Sequence, residues 1–223
     1  MTNLGKFLEQ NFWRSRFVVL LAVTIAVIVL SAFVEEGPIG LWIEQITFVC
    51  LAILAVLISA GRRKLILIVG TLIVLWLAIP LMNVGMFRGA LTGVTLPILI
   101  SLSFIIFVVV QKTVVLASVV DLNVVCGGIA CYFLISIVWA LSFAELEWLH
   151  PGSIQFPQNE TAQWGNIMYL SLTCLTTVGF GDVVPIRPIA RILATLEGAV
   201  GVIYMSVLVA RLVTMYRVEN PQP

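Results

Sequence analysis

The residues best placed to do chemistry lie in one short run, Thr177-Val178-Gly179-Phe180-Gly181-Asp182, of a 223-residue chain. Glycines at 179 and 181 permit backbone angles that a side chain would block, so successive carbonyls can be turned to point the same way. The chemistry on offer is that of backbone oxygens more than of side chains. Other reactive groups are sparse. Cys50, Cys126, Cys131 and Cys174 fall inside apolar runs without metal-ligand spacing and read as small buried side chains. His150, the single histidine, stands before Pro151-Gly152 and reads as a solvated turn residue.

What must position the run follows from composition. Hydrophobic residues make up 61% of the chain and charged residues 10%, with a mean hydropathy of +1.14. Soluble domains carry about 45–50% apolar and about 25% charged residues, so this excess belongs in lipid. A net charge of +1 gives no sign of nucleic-acid binding. Spanning a bilayer takes about 20 mostly apolar residues. Segments 17–34, 42–60, 65–82, 94–110 and 124–144 reach or approach that length, and a sixth, 188–216, opens with Pro188, acceptable in a first helical turn. Lys6, Arg14 and Arg16 precede the first segment as they would a signal peptide, but its length and the five further segments favour a retained helix.

With the N-terminus in the cytoplasm, Lys6, Arg14, Arg16, Arg62, Arg63, Lys64, Lys112, Arg211 and Arg217 lie inside, and only Arg88, Arg187 and Arg191 outside. Between the fifth and sixth spans, residues 145–187 contain their own apolar run, 163–175. Thirteen residues make about 20 Å of helix, enough to dip into a bilayer and too short to cross it. Non-helical backbone at membrane depth is tolerated only where protein buries it or water lines it. A short helix, a glycine strand and a return describe a pore loop.

Thr176-Thr177-Val178-Gly179-Phe180-Gly181-Asp182 resembles the signature of the tetrameric potassium-channel superfamily. Leu196-Glu197-Gly198-Ala199-Val200-Gly201-Val202-Ile203-Tyr204 and Leu208-Val209-Ala210-Arg211-Leu212-Val213 are similar to the inner helix of its bacterial ion-channel family. The resemblance covers residues 121–218. It implies an all-α membrane protein: six transmembrane helices, a re-entrant pore helix and a selectivity filter, four copies forming a homotetrameric pore. Potassium is then the permeant ion, its lost water replaced by stacked carbonyl rings, a mechanism known from that superfamily. The ring atoms implied are the carbonyls of Thr177, Val178, Gly179 and Phe180, with the Thr177 hydroxyl innermost and Gly181, like Gly179, permitting the backbone angles that aim them. The pore helix would aim its negative C-terminal end at the axis. No cofactor other than K+ and no enzymatic activity are implied. The implied partners are K+, membrane lipid and three further copies, in a bacterial inner membrane with both termini cytoplasmic.

The resemblance also suggests supporting residues. Tyr169 occupies a position where family members place an aromatic that braces the filter, and its hydroxyl is expected to reach Asp182. Phe180 replaces the commoner tyrosine and removes a hydrogen bond to the pore helix. Thr173 and Thr176 belong with this support. Glu197 is the one ionisable residue deep in the sixth helix; such depth costs about 2.5–3.5 kcal/mol on insertion scales and calls for a partner. We expect it behind the filter, near Thr173. Gly201 matches the family's gating hinge, Gly198 allows close helix packing, and Val202, Met205 and Val209 share a helical face that would line the inner vestibule.

The expected organisation is a cytoplasmic N-terminus (1–16), a four-helix sensor-like domain with its linker (17–120), a pore domain (121–217) and a short tail (218–223), with no cytosolic ligand-binding domain. A voltage sensor needs arginines at every third position of the fourth span, and 94–110 has none. Residues 111–121 resemble a linker helix along the inner membrane surface. Asn159-Glu160-Thr161 fits a glycosylation acceptor, and Arg62-Arg63-Lys64 an interfacial anchor. Two other readings stand beside the conducting pore. One is a non-conducting modulatory subunit. The other takes Gly179-Phe180-Gly181-Asp182 as the GxGD signature of intramembrane aspartyl proteases, which need two aspartates sharing a proton; the other aspartate, Asp121, is expected at the opposite membrane surface.

Overall fold

The computed structural model describes residues 17–30, 71, 107, 121–157 and 164–219, with side chains through 214. In chain order it has helix α1 (Phe17–Leu30), helix α2 (Leu122–Leu149), strand β1 (Ile154–Gln155), helix α3 (Trp164–Leu175), strand β2 (Val184–Pro185) and helix α4 (Pro188–Glu219). The expected spans 42–60, 65–82 and 94–110 lie outside the described residues apart from Thr71 and Phe107. So do the linker 111–120, Arg62-Arg63-Lys64 and Asn159-Glu160-Thr161.

Helix α2 starts where Asp121, in extended conformation, accepts the Val124 amide at 2.7 Å, a side-chain cap for the first turn. It ends at His150, whose N–H donates to the Leu146 carbonyl, just before Pro151. The apolar pattern predicts 124–144, but the helix runs five residues further. Glu145 and Glu147 continue it, and Glu147 folds the following loop back by accepting Gly152 N at 2.7 Å and Ile154 N at 2.9 Å. Helix α4 opens on Pro188, where a missing N–H costs nothing, and runs to Glu219. Both α2 and α4 are long and apolar enough to cross a bilayer.

One departure from an all-α fold is a two-residue antiparallel ladder, Ile154 opposite Pro185 and Gln155 opposite Val184. Ile186 N and Arg187 N extend it onto the Ser153 carbonyl. A ladder this short has no period-two pattern to read; it exists because Glu147 holds Ile154 in place. It ties the chain leaving residue 182 to the chain leaving α2.

The three helices of this region pack around one core, with Leu134, Ile137 and Leu141 of α2 against Ile167, Met168 and Leu170 of α3. Tyr204 of α4 donates its hydroxyl to the Gly128 carbonyl of α2 at 2.8 Å, and its ring lies 6.0 Å from that of Tyr132. Helix α1 joins the same core through Phe17, Leu20 and Val27, and its Phe17 amide donates to Asn123 Oδ1 at 2.9 Å. Helix α4 leaves Val202, Ile203, Met205, Val207 and Val209 exposed.

Replacing Tyr204 by Phe keeps the ring and removes the bond to Gly128. The variant is expected to lose about 1 kcal/mol, read as a lower denaturation midpoint of the detergent-solubilised protein.

Candidate functional site

The last turn of a helix leaves four carbonyls without intrahelical partners. In α3 all four are satisfied. Leu172 O accepts the Thr176 amide at 3.0 Å and its hydroxyl at 2.6 Å. Thr173 O accepts Gly179 N at 3.2 Å, and Cys174 O accepts Thr177 N at 3.0 Å. Leu175 O accepts the Tyr132 hydroxyl of α2 at 3.0 Å. The run that follows is thus bound to the helix end at residues 176, 177 and 179. The helix's partial negative charge is directed at that same run.

Within the run φ is positive at Thr177 (59°), Gly179 (49°) and Gly181 (83°), and at none of the residues between them. Alternating backbone handedness is what allows consecutive carbonyls to face one side, whereas an ordinary strand alternates them. The glycines are explained by these angles: the space around both is open, so only the backbone conformation restricts a side chain there. Thr177 is a β-branched residue in the same left-handed region, a conformation costing about 1–3 kcal/mol and held only by its surroundings. No side-chain propensity signals it. Val178 and Phe180 project outward, 55% and 72% exposed.

Asp182 closes the run. The Tyr169 hydroxyl donates to its carboxylate, with oxygens 2.8 and 2.9 Å away. That bond is the main cause holding the Asp182 carboxyl below its ordinary range. The Phe180 ring lies nearly parallel to that of Tyr169, at 8° and a centroid separation of 6.2 Å, within aromatic stacking range. Where tyrosine would offer a hydroxyl, Phe180 offers a stacked face.

Behind the run, Glu197 of α4 is fully buried. Its partner is not Thr173, whose hydroxyl turns back to Leu170 O at 2.9 Å, but Ser171, two residues earlier and facing α4. Ser171 Oγ lies 2.5 Å from Glu197 Oε1 and 2.7 Å from the Ser136 carbonyl of α2. Thr173 serves the run through its main-chain oxygen alone. Sequence reading missed Ser136, Ser171 and Tyr132, since a small polar residue in an apolar helix carries no sign of its partner. Gly198 and Gly201 both face the end of α3. A Cβ at Gly198 would come within 3.2 Å of Cys174 O, and one at Gly201 would collide with Leu175 O. Close approach thus explains both glycines; α4 is continuous through them. Val202, Met205 and Val209 are exposed along the same helix. A cavity of about 590 Å³ under the run is lined by Cys174, Thr177, Ala194, Thr195, Gly198 and Val202 among others.

Among the described residues no three His, Cys, Asp or Glu side chains group as a metal site. The two aspartates stay apart, Asp121 capping α2 and Asp182 bound to Tyr169. A family model described as ion channel matches residues 103–218, just over half of the chain. Comparison with curated proteins and with solved structures gives no match.

Asp182 favours its ionised form in the fold, so its contribution is present above the ordinary carboxylate range and lost as pH falls through the lowered value. Tyr169→Phe should raise the Asp182 titration towards that ordinary range. NMR of aspartate-labelled protein, with Asp121 as the only other signal, reads the shift.

Proposed function

This chain belongs to the ion-channel family, and from that premise we propose that it is one subunit of a potassium-selective channel conducting K+ passively through the backbone oxygens of residues 177–181. The observation that carries the reading is the alternation of positive φ at Thr177, Gly179 and Gly181, in a strand tied to the negative end of α3. Carbonyls of Thr177, Val178, Gly179 and Phe180, with the Thr177 hydroxyl below them, replace the water around a dehydrated cation. Their spacing is set by the backbone, which Gly179 N bonded to Thr173 O and Tyr169 bonded to Asp182 hold at two points. The negative end of α3 makes the approach favourable for a cation and unfavourable for an anion.

One chain supplies one strand, so the pore is a homotetramer. The exposed apolar face of α4 supports this, because its Val202, Met205 and Val209 are then the lining of the inner vestibule and Val207 and Ile203 meet neighbouring copies or lipid. Gly201 can act as the hinge of α4 only if it also leaves the Leu175 carbonyl it now abuts. With six spans in the cell membrane, both termini are cytoplasmic. Opening does not use the arginine-repeat kind of voltage sensing, since 94–110 carries no arginine.

Gly179→Ala and Gly181→Ala each force an L-residue into a left-handed conformation at about 1–2 kcal/mol per residue, repeated in four copies. Rubidium uptake into proteoliposomes is expected for the wild type and lost in both variants, while the proteins still fold and assemble. Uptake that survives in both variants would refute the filter assignment.

A further inference from the structure

The hydrogen-bond geometry around Ser171 points to a proton on Glu197. A serine hydroxyl carries one hydrogen. Ser171 Oγ sits 2.7 Å from the Ser136 carbonyl, which can only accept, and 2.5 Å from Glu197 Oε1. If the serine hydrogen goes to Ser136, the second contact needs a hydrogen from Glu197. If Glu197 were a carboxylate, Ser171 would have to turn to it and leave two lone-pair oxygens 2.7 Å apart. The other carboxyl oxygen, Oε2, is buried and meets no hydrogen-bond donor among the described residues. A neutral acid carbonyl tolerates that position far better than half of a carboxylate would.

We propose that Glu197 is held as a neutral carboxylic acid that donates to Ser171, which donates in turn to the Ser136 carbonyl. The chain of two hydrogen bonds joins α4, α3 and α2, and it is complete only while Glu197 keeps its proton. Its position gives that proton a consequence. The next residue, Gly198, abuts the Cys174 carbonyl and the Thr177 side chain, so the clamp fixes the distance between α4 and the base of the 177–181 run. The titratable groups facing Glu197 are Tyr132 of α2 and Cys174 of α3, both neutral side chains that offer a carboxylate no compensating positive charge. Among the described residues no cation pairs with it: Ser171 is its hydrogen-bond partner, and the nearest charged residues on α4 are Arg191 and Arg211. Removing the proton places an unpaired negative charge among three packed helices and breaks the clamp. The structure is therefore intact at acid and neutral pH and loosens in the alkaline range. That the loosening also closes the pathway rests on the channel reading; the proton on Glu197 does not.

Infrared difference spectroscopy on the full chain in lipid nanodiscs tests the proton directly. A protonated-carboxyl stretch is expected in wild type at neutral pH, absent in Glu197→Gln, and replaced by a carboxylate band in alkali. Thermal unfolding supplies the second measurement. Wild type should lose midpoint temperature as pH rises, Glu197→Gln should lose much less because its amide still donates to Ser171, and Ser171→Ala should start lower at every pH. No Glu197-dependent carboxyl band at neutral pH, or the same alkaline profile in wild type and Glu197→Gln, overturns the proposal. Because neither readout needs conduction, a protein that passes no ions would contradict the channel reading and leave this test intact.

Discussion

The last turn of α3 is the constraint on which the site depends. Four carbonyls emerge there with no helical partner, in a region where each one left bare would cost about 1–3 kcal/mol. Their donors come from two directions: the following run supplies Thr176, Thr177 and Gly179, and α2 supplies the Tyr132 hydroxyl. Satisfying the helix end and shaping the run are therefore the same act. The strain at Thr177 is held because releasing its φ would also release its amide from Cys174 O. On the far side, Gly201 lets α4 come against Leu175 O, leaving α3 no room to recede.

A second set of bonds holds the outer end of the run. Tyr169 binds Asp182, Phe180 stacks on Tyr169, and the chain beyond is paired to β1, itself positioned by Glu147. The inner end is held by packing and by Glu197 through Ser171. Main-chain atoms of 177–181 are thus fixed from both ends while the space beside the glycines stays open. In the reading proposed above, that combination lets backbone oxygens act as ligands with little reorganisation.

Much of this is legible in the sequence. The glycine spacing marked residues 177–182, the thirteen-residue apolar stretch marked α3 to within a residue, and Pro188 marked the start of α4. These are local signals, written in residue type. What stayed hidden was relational. Ser136 and Ser171 are 35 positions apart, Tyr132 and Leu175 are 43 apart, and Tyr204 and Gly128 are 76 apart. Each bond depends on how α2, α3 and α4 face one another, which no single helix encodes. The same cause put Glu197 beside the wrong neighbour: Ser171 and Thr173, two positions apart on α3, point to different sides of the helix, and only the packing of α4 decides which of them Glu197 meets. The β1–β2 pairing escaped because two residues are too few to carry a pattern.

Electrical recording reads whether residues 177–181 select potassium. Purified protein in a planar bilayer would face potassium on one side and sodium on the other. A reversal potential near the potassium equilibrium value is expected of a filter made by residues 177–181. A reversal near the sodium value, or no current from assembled protein, would contradict it.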